Sequence, residues 1–127
     1  MTSRLADYGY IAATIVLTVY GQFILKWRLR EMGELQLPVD LWERVRFLVV
    51  LAFDPAIFSG FVAAFIASLA WIAALTRFEL SYAYPFTSLS FVLVLLLGGW
   101  FLGESFTWQR MVGVALIVAG TAVAARG

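Results

Sequence analysis

Four apolar runs, residues 8–25, 56–76, 82–102 and 108–125, take up most of this chain. Each is close to the ~20 residues that a helix needs to cross the hydrocarbon core of a bilayer. Inside lipid the backbone must satisfy its own hydrogen bonds, so such runs fold as helices. The fold class expected is an all-α membrane protein with four transmembrane helices, a single domain over residues 1–127. Composition agrees, with 63% hydrophobic and 13% charged residues among 127. The first run is not read as a cleaved signal peptide: it lacks a small-residue cleavage site and leads into Lys26, Trp27 and Arg28. There is no cysteine or histidine and no Gly-rich phosphate loop, so no disulfide framework, metal site or cofactor is expected. No catalytic residue stands out, and nucleic acid is not an expected partner.

Between the first two runs, "LPVDLWERVRFLVVLAFDP" sets Leu41, Trp42, Val45, Leu48, Val49 and Ala52 on one helical face, away from Glu43, Arg44 and Arg46. This reads as a short interfacial helix in the headgroup region, with a loop packed on the bundle as the alternative. Asp40 with Glu43 suggests a capping box, and Asp54 before Pro55 an N-cap with proline in the first turn. The links "RFELS" and "GESFT" are short and make neighbouring spans antiparallel. Trp27, Trp42, Trp100 and Trp108 fall near span ends, as an interfacial aromatic belt does. Of nine basic residues, Lys26, Arg28, Arg30, Arg44, Arg46 and Arg110 lie on one side, with Arg4, Arg77 and Arg126 on the other. The positive-inside rule then puts the first and third loops in the cytoplasm.

The polar residues inside the spans are mostly neutral. Thr14, Thr18, Gln22 and Lys26 recur every four residues and form one stripe along the first helix. An ammonium at headgroup depth suits a phosphate, and an amide one turn inside the apolar boundary needs a partner. The competing reading has Lys26 snorkelling to the interface beside Arg28. In the third run, Pro85 cannot donate to the carbonyl of Ser81, so a kink there would open a recess lined by Tyr82, Tyr84, Thr87 and Ser88. A purely structural kink is the alternative. Gly113 and Gly120 are two turns apart on the last span and offer a face for close helix approach, either between subunits or within one chain. Four helices leave no central cavity for a sizeable substrate, which argues for a dimer. Glu104 precedes the last span and is expected to interact with its positive N-terminal end.

The stretch "AYPFTSLSFVLVLLLGGWFLGESFTWQRMVGVALIVAGT", with "GQFILK" in the first span, resembles the four-helix members of the drug/metabolite transporter superfamily. The likeness covers nearly the whole chain except the long first loop. Of two branches, the small multidrug resistance proteins are similar in the last-span glycines, the Ala83-Tyr84 pair and the first-span ending. The closer match is to subunits that flip aminoarabinose attached to undecaprenyl phosphate. Its pattern falls here on Gly21, Gln22, Lys26, Ala83, Tyr84, Pro85, Ser88, Leu89, Phe91, Val92 and Glu104. In the multidrug branch a membrane-embedded glutamate one turn before the first-span glycine is the proton and cation site; here that position is Thr18. Proton-coupled exchange of lipophilic cations needs such a carboxylate.

The resemblance implies a transporter in the bacterial inner membrane, working by alternating access as a homodimer or as a heterodimer with a paralogous four-helix subunit. The substrate expected is a lipid-linked polyprenyl-phosphate sugar or another amphipathic anion, with Thr18, Gln22, Lys26, Tyr82, Tyr84, Thr87 and Ser88 as binding residues. The resemblance also raises a coupling role for Glu104 beside the structural one. A multidrug exporter and a non-transporting membrane subunit remain the alternatives.

Overall fold

The computed structural model describes residues 2–33 and 35–127, with side chains from Leu5 onward; the side chain of Arg4 lies outside the described residues. Among the described residues six helices follow one another: α1 Thr2–Glu31, α2 Leu41–Ala52, α3 Pro55–Leu75, α4 Leu80–Thr87, α5 Ser90–Phe101 and α6 Trp108–Arg126. Helices α1, α3 and α6, and α4 with α5 taken together, form four segments long and apolar enough to cross a membrane. The first helix runs past the apolar boundary at Leu25, so Lys26, Arg28 and Arg30 are helical residues, and Arg30 continues the four-residue spacing of the stripe.

Helices α1 and α3 pack along a seam of small residues. Gly60, Ala63, Ala67 and Ala74 are buried on α3, and Ile11, Thr14, Ile15 and Val19 are buried on α1. Spacings of three, four and seven keep the α3 residues on one face. Where the helices come closest, a Cβ placed on Gly21 would lie 3.0 Å from the carbonyl oxygen of Gly60. That is the close approach for which membrane helices use glycine, since packing rather than water exclusion drives their association. Two hydrogen bonds between hydroxyl groups and the facing helix join the seam: Thr14 donates to the carbonyl of Ala67 at 3.5 Å, and Tyr20 meets Ser59 at 3.0 Å.

The α1–α3 pair is also held at its end. Asp54 is the N-cap of α3, accepting from the amide of Ile57 with Pro55 in the first turn, as the sequence indicates. Its two carboxylate oxygens also accept from Nε of Arg28 at 3.0 and 3.1 Å. That hydrogen bond holds the Asp54 carboxyl below its ordinary range, against the opposing pull of desolvation. At the other end, Arg77 pairs with Asp7 at 3.6 Å.

Helix α2 contains no buried residue, and Leu41 and Trp42 are largely exposed, as the amphipathic pattern requires. The capping box does not form. Asp40 has the extended N-cap backbone, but its side chain makes no cap bond.

The third span is interrupted. Helices α4 and α5 meet at Ser88 and Leu89, one turn beyond Pro85, where Ser88 and Leu89 donate to carbonyls only three residues back. Hydroxyls occupy the carbonyls at the break: Thr87 donates to Tyr84 at 2.6 Å and Thr121 of α6 to Pro85 at 3.2 Å. Ser88 and the buried Thr121 lie 2.8 Å apart and tie α4 to α6.

Candidate functional site

The stripe on α1 faces α4 and α5, and the structure divides the expected site residues between two recesses along it. The first, about 320 Å³, brings Thr14 and Thr18 together with Tyr84, Pro85, Thr87 and Ser88. Hydroxyls and the rings of Tyr84 and Phe91 surround it, and no carboxylate lines it among the described residues. Tyr84 is 64% exposed and meets Trp71 edge to face, with centroids 6.2 Å apart. Tyr82 does not join it. Its hydroxyl lies 2.7 Å from that of Tyr8, and its ring packs with Phe78 and Phe86. Helical spacing accounts for this divergence, because Tyr82 and Tyr84 are two residues apart and point to different faces of α4.

The second recess, about 220 Å³, is lined by Gln22, Lys26 and Glu104 over apolar walls from Val19, Phe23, Leu97 and Leu102. Phe23 meets Phe101 edge to face, with centroids 6.0 Å apart, at the seam between α1 and α5. Gln22 and Lys26 are both exposed. No ion pair joins Lys26 to Glu104 among the described residues.

Glu104 is not where its sequence position suggested. The N-terminus of α6 is capped by Thr107, whose hydroxyl accepts from the amide of Arg110 at 3.1 Å. The segment holding Glu104 folds back on α5 instead: its amide donates to the carbonyl of Gly98 at 3.0 Å. Its Oε1 occupies the space that Gly98 leaves, lying 2.6 Å from where a Cβ on that residue would be. The ring of Phe106 covers Gly99 in the same way. Gly103 makes the reversal with φ +69°, a conformation that glycine adopts without strain. Arg30 of α1 donates to the carbonyl of Leu102 and fastens this turn to the first helix.

Gly98, Gly99, Arg30 and Phe106 are the site residues that sequence reasoning missed. The signal was present in "GGWFLGESF", since paired glycines at a span end followed by a Gly-Glu link mark a close backbone approach. A Cβ on Gly113 or Gly120 would meet nothing within 4 Å among the described residues, so neither glycine marks a close helix approach there. Gly113 borders a further recess of about 340 Å³ between α5 and α6, which Glu104 and Arg110 also line.

No solved structure matches the chain. A 4-amino-4-deoxy-L-arabinose-phosphoundecaprenol flippase subunit ArnF of Erwinia tasmaniensis, named as probable, is 37% identical over 114 residues, which cover 87% of each chain. The ArnF of Sodalis glossinidius is 35% identical over 121 residues, 89% of this chain and 85% of that one. The corresponding ArnE subunit of Pectobacterium atrosepticum is 35% identical over 120 residues, 90% and 93% of the two chains. The resemblance drawn from the motifs is borne out, and with four apolar helices this is a multi-pass membrane protein of transporter kind. The EamA-like transporter family model matches residues 8–126, and the chain belongs to that family.

Proposed function

We propose that this chain is one subunit of a flippase of the bacterial inner membrane, moving a polyprenyl-phosphate sugar by alternating access together with a second four-helix chain. The observation that carries the reading is the recess of Gln22, Lys26 and Glu104, where polar groups lie at the end of an apolar groove between α1 and α5. Lys26 holds the phosphate as a point charge, and Gln22, one turn deeper, donates to a headgroup oxygen. The prenyl tail leaves along Val19, Phe23 and Leu97 into lipid and never crosses a closed pore. The volume of about 220 Å³ is below the roughly 300–1,000 Å³ of small-molecule sites. A second chain completes the enclosure, and the open glycine face of α6 offers it a seat. The names of the relatives, which are flippase subunits for such a lipid, support the same substrate class. The absence of a carboxylate around Thr18 supports it over cation antiport.

Binding of a polyprenyl phosphate to purified, monodisperse variants tests this. Lys26→Ala is expected to weaken binding at least about tenfold and Lys26→Arg less, because the charge persists while its shape changes. Gln22→Leu is expected to abolish transport in reconstituted vesicles and leave the protein folded. Unchanged affinity in both Lys26→Ala and Gln22→Leu would overturn the reading.

A further inference from the structure

The recess holds one feature that a phosphate does not explain. An anionic ligand needs a cation and donors, which Lys26 and Gln22 supply, yet a carboxylate lines the same recess. Placed loosely, Glu104 would be drawn to the nearest cation and neutralise it, since opposite charges beside apolar walls attract strongly. It is held instead. Its amide is bonded to Gly98, its Oε1 lies in the notch above that glycine, and Arg30 fastens the turn through Leu102. Three cations stand around this turn: Lys26, Arg30 and Arg110. Arg30 donates to the carbonyl of Leu102 and Arg110 to that of Ser105. None is ion-paired with Glu104 among the described residues. The recess thus offers an ammonium and a carboxylate that form no ion pair among the described residues, the carboxylate seated against Gly98.

We propose that Glu104, seated by Gly98, is the specificity-determining residue of this site and reads a cationic amine on the headgroup whose phosphate Lys26 holds. This rests on the reading of Lys26 as the phosphate partner. A ligand with both charges satisfies both groups at once, whereas a neutral sugar phosphate offers the carboxylate only a hydroxyl, a weaker bond than one from an ammonium. Gly98 is a positioning residue, because a methyl group there takes the space that Oε1 occupies and pushes the carboxylate away from the recess.

The test uses the full chain in lipid nanodiscs and three probes: a bare polyprenyl phosphate, one bearing a neutral hexose and one bearing an amino-hexose. The wild-type protein is expected to bind the amino-hexose lipid about tenfold to a hundredfold tighter than the neutral one, the worth of a charge-assisted hydrogen bond. Glu104→Gln is expected to reduce that preference to about twofold without weakening the binding of bare polyprenyl phosphate, which loses a like-charged neighbour, and Glu104→Asp to restore part of the preference. Gly98→Ala is expected to lose the preference as Glu104→Gln does; if that variant does not fold, the Glu104 pair decides alone. Lys26→Ala is expected to weaken all three probes together. A wild-type protein indifferent to the amine, or a preference that survives Glu104→Gln, overturns the inference. So does a Glu104→Gln variant that loses its oligomeric state and keeps the preference. If Lys26→Ala still weakens every probe, the phosphate reading stands when this one falls; if it weakens none, both fall.

Discussion

The pair α1–α3 and the group α4–α6 are built from the same apolar alphabet and packed very differently. The most apolar stretches of the first two spans bury 28% and 22% of their residues, and those of the last two only 6% each. On α3 glycine and alanine line one face and meet the backbone of α1, so the pair is a finished unit. On α6 a Cβ on either Gly113 or Gly120 would meet nothing within 4 Å among the described residues, and Thr121 is the one buried residue of that helix. Lipid accepts either surface at little cost, because its tails are as apolar as leucine. The contrast therefore teaches less about stability than about role. Glycine within the first pair serves folding, and glycine on the last span is free to serve assembly. The candidate site lies along the boundary between the rigid pair and the open group.

The largest effect expected from this contrast is at Gly60. Gly60→Leu forces bulk into a seam where a Cβ would already lie 3.2 Å from the carbonyl oxygen of Gly21, and overpacking on that scale costs about 3 kcal/mol. Thermal unfolding in detergent should show it as a marked loss of stability. The same change at Gly113 and Gly120 should leave the unfolding of the chain where it was and dissolve the dimer proposed above, read by light scattering. A double leucine variant that keeps its dimer and transports fully breaks the comparison.

A smaller effect tests the clamp at the end of the pair. The Asp54 carboxyl is lowered from its ordinary value of 3.8 by its hydrogen bond from Arg28, so the folded chain prefers the ionised form. Its contribution is fully present above that pH and is lost as pH falls below it toward the folded value. Acid unfolding of the wild type should steepen there, and Asp54→Asn should start less stable at neutral pH and lack that part of the acid limb. An unchanged acid limb in Asp54→Asn would show that the clamp contributes nothing.

The smallest differences belong to the caps. Thr107→Ala removes the hydroxyl that caps α6 and should cost about 1 kcal/mol. Asp40→Ala removes a side chain that makes no cap bond and should cost under about 0.5 kcal/mol. Equal losses at the two positions would mean that Asp40 caps α2 after all.

Much was settled by sequence alone. Run lengths fix four spans because bilayer thickness and helical rise admit no other count. The stripe of Thr14, Thr18, Gln22 and Lys26 follows from a period near four, and the Asp54-Pro55 start follows from the chemistry of a helix N-terminus. All of these depend on residues within a few positions of one another. What stands opposite the stripe does not. Tyr84 lines the first recess while Tyr82 packs with Tyr8, and Glu104 leaves the cap of α6 to Thr107 and settles over Gly98. The glycines that pack α1 against α3 are Gly21 and Gly60, whereas a Cβ on either of the conspicuous pair on α6 would meet nothing within 4 Å among the described residues. Only tertiary structure decides these points. An apolar helix in lipid carries no contrast between its lipid-facing and protein-facing sides, so the partner of each face is set by shape, through contacts between residues far apart in the chain.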